Sequence, residues 1–132
     1  MKITHEADYA TRAILHLSRT QTDKLIPTNE IAKRQNIPSS FLAKIIVQLS
    51  IAGLLHTSRG ANGGVKLARK PQNITLLEVI EAIDGPIRLN ICVENESDCI
   101  FENNCPMQAV WCDAQNEMIT KLRNTNFAQL IA

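Results

Sequence analysis

At 132 residues, 45% hydrophobic and 20% charged, the chain has the composition of one globular unit able to bury an ordinary core. Its formal net charge of +1 conceals a division: residues 1–70 hold eleven Lys and Arg against four acids, residues 71–132 three against nine. That split suits a polyanion partner for the first half and a different task for the second, and no apolar run approaches the roughly 18–20 residues that would cross a bilayer. No signal peptide precedes the first helical pattern, so a cytoplasmic location is expected. In that compartment four cysteines favour metal ligation or free thiols over a disulfide framework.

Thr4 is a suitable cap for a first helix reaching about residue 18, with Ala10, Ala13, Ile14 and Leu17 on one apolar face. Residues 20–27 read as a polar loop. Thr28 is then expected to cap a short second helix over 29–35, with Ile31 and Ala32 inward. Asn36, Ile37 and Pro38 form a turn, and Ser39 is expected to cap a third helix over 40–52. Leu42, Ile45, Ile46 and Leu49 are its core face and Gly53 its stop.

Two helices joined by a short turn describe a helix-turn-helix. Residues 54–58 and 65–68 have strand character and flank a glycine-rich tip at 59–64, which reads as a hairpin wing. After a break at Pro71, Thr75 and Glu78 make a capping box for a helix to about residue 83. Pro106 opens a long helix to about residue 123, whose stripe is Val110, Trp111, Ala114, Met118 and Leu122. A capped final turn covers 125–130. The expected fold is mostly α with a small β-hairpin: a winged helix-turn-helix over 1–85, a cysteine loop over 86–105, and a dimerisation helix with a terminal turn over 106–132.

Helix-turn-helix proteins commonly read two DNA half-sites as dimers, which gives the apolar stripe of the long helix a partner. Double-stranded operator DNA and a second copy of the chain are therefore the expected partners. The candidate DNA contacts are Thr28, Lys33 and Arg34 on the second helix, Ser39, Ser40, Phe41 and Lys44 on the third, and Arg59, Gly60, Gly63 and Lys66 at the wing. Serine hydroxyls and lysine ammonium groups bond base edges or phosphates, and an arginine at a wing tip suits a narrow minor groove. Nothing in the chain points to an enzyme or to a small-molecule substrate. The glycine-rich tip precedes a strand rather than a helix, and there is no nucleophile elbow and no pair of histidine ligands.

Cys92, Cys99 and Cys105 stand in an acidic segment rich in Asn and Asp, between two regions of helical pattern. Thiolates at these spacings suit an iron–sulfur cluster with one further ligand, a zinc site, or redox-active free thiols. Cys112 follows Cys105 by seven residues, about 10.5 Å along a helix axis, which makes it a poor further ligand to the same centre.

The chain is similar to the IscR/NsrR (Rrf-type) family of bacterial regulators over essentially its whole length. The resemblance is carried by Asp8, Tyr9 and Arg12 near the start, Ile37 to Phe41 on the third helix, and Arg59, Gly60, Gly63 and Gly64 in the wing. Glu78, Asp84 and Gly85 on the fourth helix and the three cysteines complete it. It implies a homodimeric winged-helix transcriptional regulator, a repressor in the favoured reading, with Cys92, Cys99 and Cys105 as cluster ligands. IscR-like members have a histidine three residues after the last cysteine, where this chain has Gln108. NsrR-like members carry an aspartate on the first helix that reaches the partner's cluster, and Asp8 matches it. The resemblance thus favours a [4Fe–4S] over a [2Fe–2S] cluster, completed by Asp8 of the partner subunit and responsive to nitric oxide. An IscR-like regulator of cluster biogenesis and a cluster-free thiol-sensing or protein-interaction regulator are the alternatives.

Overall fold

The computed structural model describes residues 2–20, 22–90, 93 and 104–132. Helix α1 spans His5–Thr20, α2 Thr28–Gln35 and α3 Ser39–Ile51. The antiparallel strands β1 (Leu55–Ser58) and β2 (Gly64–Leu67) form the wing, and α4 (Leu76–Asp84), α5 (Pro106–Arg123) and α6 (Phe127–Ile131) follow. This is a winged helix-turn-helix with a long C-terminal helix and a short one after it.

The apolar faces expected of α1 and α3 are the buried ones. Ala10, Ala13, Ile14 and Leu17 meet Leu42, Ile45, Ile46 and Leu49 in one core with Ile31, Ile37, Leu54, Val65, Ile74 and Val79. Thr4 caps α1 as expected, its Oγ1 accepting from the Ala7 amide at 3.1 Å. Asp84 at the end of α4 adds a tertiary clamp, accepting from both the Thr4 amide and the Thr4 hydroxyl.

Thr28 and Ser39 do not cap their helices. Both helices start one residue earlier than expected, and Pro27 and Pro38 take the cap positions at φ −58°. The ring holds φ near the value a helix entry needs, and the proline carbonyls take over the end amides. Pro27 O accepts from Glu30 N at 3.1 Å and Pro38 O from Leu42 N at 3.0 Å. The Ser39 side chain is left exposed at the start of α3. Between the two helices Asn36 adopts the left-handed conformation at φ 54°, and Ile37 folds back into the core.

The wing pairs Leu55 with Leu67, His56 with Lys66, Thr57 with Val65 and Ser58 with Gly64. Ile26, within the stretch read as loop, bridges the other edge of β2. Its amide donates to Val65 O at 2.8 Å and its carbonyl accepts from Val65 N at 2.9 Å. That approach explains Gly64: a Cβ there would overlap the Ile26 carbonyl. Gly63 is constrained likewise by the Ser58 carbonyl across the hairpin.

Helix α5 packs on α4, yet among its described residues only Gln115 is buried. Its Oε1 accepts from Leu89 N at 2.7 Å. Trp111, Met118 and Leu122 are half-buried, whereas Val110 is 60% exposed and Ala114 is exposed. The chain then turns back. Asn126 and Gln129 form a capping box, and Phe127, 1% exposed, joins the winged-helix core against α1. No described helix is long and apolar enough to cross a membrane.

Candidate nucleic-acid interface and cluster-ligand positions

The outer face of α3 presents Ser39, Ser40, Phe41 and Lys44, all exposed. Four buried aliphatic residues on the opposite face fix its rotation on the core, so the outward residues cannot turn away without exposing that face. Lys33 and Arg34, in the last turn of α2, are exposed on the neighbouring helix, and Thr28 is half-buried at its start. Arg59 and Gly60 lie exposed at the wing tip. Lys66 is half-buried, facing the same side of the hairpin as His56. Gly60, at φ +104° with open space around its Cα, supplies the turn at the tip. Arg69, a basic residue outside the candidate set, is held internally by Glu78 Oε1 at 2.8 Å and the Asn73 carbonyl at 3.3 Å.

Phe41 has a second role that its position in the sequence does not signal. Its ring centroid lies 6.0 Å from that of Tyr9, which in turn lies 6.4 Å from His5. This aromatic ladder joins the start of α3 to the start of α1, between residues more than thirty positions apart. Asp8 belongs to the same turn of α1. Its carboxylate is exposed, and Oδ2 accepts from Arg12 Nε at 3.0 Å, an i,i+4 pair with both side chains about half exposed.

Of the three cysteines expected as ligands, Cys92 and Cys99 lie outside the described residues. Cys105 is a free, half-buried thiol at the cap position of α5, with Pro106 opening the helix as expected. Gln108 lies in the first turn of the same helix. Cys112 is also a free, half-buried thiol, two turns into α5 from Cys105. Among the described residues no three His, Cys, Asp or Glu side chains converge. Of the expected ligands, the two that are described fit an iron–sulfur centre in kind, the free Cys105 thiol and the accessible Asp8 carboxylate, on separate elements.

A basic helix-turn-helix with an exposed recognition face and a wing defines a DNA-binding transcriptional regulator of the winged-helix class. The model of the Rrf2 family, described as iron-dependent transcriptional regulators, matches residues 3–132. The HTH-type transcriptional regulator NsrR of Halalkalibacterium halodurans is 29% identical over 132 residues, covering 99% of this chain and 90% of that protein. The fold matches CymR, the global cysteine regulator of B. subtilis, with a TM-score of 0.83 at 23% identity over 99% of this chain and 96% of that one. It matches IscR of T. potens with a TM-score of 0.78 at 23% identity over 99% and 86%. The chain belongs to the Rrf2 family of transcriptional regulators; it binds DNA and is not an enzyme.

Proposed function

We propose that the chain is a homodimeric repressor whose DNA affinity is controlled by an iron–sulfur cluster, [4Fe–4S] in the favoured form, that responds to nitric oxide. The ligands would be Cys92, Cys99 and Cys105 of one subunit and Asp8 of the partner subunit. The cluster would supply a centre that nitric oxide degrades, and the protein supplies the coupling. In the dimer, α3 enters the major groove with Ser39, Ser40 and Lys44 toward base edges. Lys33 and Arg34 meet the phosphate backbone, as does Lys66, while Arg59 reaches the minor groove with Gly60 and Gly63 shaping the tip. The half-covered stripe on α5 supports pairing of two copies through that helix. A DNA-bound regulator of this kind works in the cytoplasm.

The observation that carries the reading is the setting of Asp8. An exposed carboxylate one turn before Arg12 sits beside Tyr9, whose ring packs on Phe41 of the recognition helix. Holding Asp8 at a partner's cluster would fix α1, and through the Tyr9–Phe41 contact the start of α3. Release would return the carboxylate to Arg12. A differential of about 1.4 kcal/mol between the two arrangements already changes operator affinity tenfold.

The test is anaerobic purification of the wild type and Asp8→Ala, with iron and sulfide assays, a visible spectrum and gel-shift titration at fixed salt before and after nitric oxide. The wild type should be coloured and should lose at least about tenfold in affinity on exposure. Asp8→Ala should remain folded with a markedly smaller response. A colourless wild type without iron or sulfide, or an identical response in Asp8→Ala, would sink the reading.

A further inference from the structure

We propose that Val47 reads a thymine methyl group in the major groove, which makes it a specificity-determining residue of the operator contact. The inference rests on α3 being the helix that enters the groove. Opposite the buried face of Leu42, Ile45, Ile46 and Leu49, the outward meridian of α3 runs through Ser40, Lys44, Val47 and Ile51 at i, i+4, i+7 and i+11. It carries no Arg, Asn or Gln, and the helix's one glutamine, Gln48, is half-buried on its flank. Lys44 can bond a guanine edge, and the serines supply single hydrogen bonds. The remaining contact surface on that line is apolar, with Val47 57% exposed and Ile51 82% exposed.

An exposed valine beside a lysine and a serine on a recognition helix has one apolar complement in duplex DNA. That complement is the C5 methyl of thymine, which projects into the major groove. Val47 stands about 12 Å along the helix axis from Ser39, comparable with the groove's width of about 12 Å. Ile51 stands about 18 Å away, beyond the reach of that contact. Burying one methyl against an isopropyl group is worth a few-fold in affinity, enough to select a T·A pair at that position in each half-site.

The experiment uses the full chain, purified anaerobically, on duplexes it selects from a randomised pool. Each thymine is replaced in turn by uracil, which removes only the methyl. At one position per half-site the wild type should lose about three- to tenfold in affinity. Val47→Ala should lose a similar factor on the thymine duplex and be indifferent to thymine or uracil there. Its thermal unfolding should be unchanged, because the side chain is exposed. Lys44→Ala should bind more weakly throughout yet keep the wild-type sensitivity to the methyl. Wild-type indifference to every replacement, or full methyl sensitivity in Val47→Ala, overturns the proposal. A change in self-association of Val47→Ala without a change in methyl sensitivity also overturns it, by assigning the residue to contact between copies. Unchanged affinity of Lys44→Ala on every selected duplex removes α3 from the groove, a separate failure that takes the proposal with it.

Discussion

His16 faces α2 from α1, its Nδ1 3.4 Å from Gln35 Nε2, while its Nε2 is buried without a hydrogen-bond partner among the described residues. Burial lowers its pKa below the ordinary 6.5; Arg34 and Arg19 act in the same direction and Glu30 opposes them. The folded chain therefore keeps this imidazole neutral at pH values where the unfolded chain protonates it. Its contribution is fully present above pH 6.5 and is lost as pH falls toward the depressed folded-state value. Denaturant titrations of the wild type and His16→Asn across that window should show a shallower decline in the variant; equal slopes would remove His16 as the cause. Nothing in the residues around His16 announces this burial, since Gln35 lies nineteen positions away. Cys105, by contrast, stands out as a candidate ligand from thiolate chemistry and its place in the three-cysteine segment, whereas Asp8 is singled out only by the family resemblance.

Among the elements, the start of α4 is secured by a reciprocal cap. Thr75 Oγ1 accepts from Glu78 N at 3.1 Å, and Glu78 Oε2 accepts from Thr75 N at 3.0 Å. Burial alone would raise the Glu78 pKa, but its hydrogen bonds from Arg69 and Thr75 and the guanidinium charge hold it below 4.5. Thr75→Ala should cost about 1 kcal/mol in a denaturant titration, with the loss at neutral pH where Glu78 is ionised. This cap was legible because both partners lie within one turn. The starts of α2 and α3 misled for a related reason. Thr28 and Ser39 have good capping side chains, but each follows a proline that fixes the entry to the helix. The wing was legible from its glycines, whereas the bridge from Ile26 to Val65 was not, being a pairing across thirty-nine positions.

At the scale of the whole molecule the chain closes on itself. Phe127 enters the core formed by the first eighty residues, and its amide donates to Ile74 O at 3.1 Å. Phe127→Ala should destabilise the fold by about 3–5 kcal/mol, read from thermal or denaturant unfolding; a loss below about 1 kcal/mol would mean that the last helix is dispensable. The stripe on α5 behaves differently. Val110→Glu should leave the unfolding curve of the isolated fold nearly unchanged, because the side chain is 60% exposed in the single chain. It should shift the mass in sedimentation equilibrium from dimer toward monomer, and an unshifted mass would move the dimer contact elsewhere.

What the sequence by itself determined is the order of elements, the winged-helix class and the basic first half. Each depends on spacing within a few turns of chain or on the chemistry of a single side chain. Only the tertiary structure decided that Pro27 and Pro38 set the helix starts and that Asp84 clamps Thr4. It also placed Phe41 against Tyr9, returned Phe127 to the core and left Val110 and Val47 exposed. Several of these are meetings between residues far apart in the chain, and such contacts leave no period in the sequence from which they could be read.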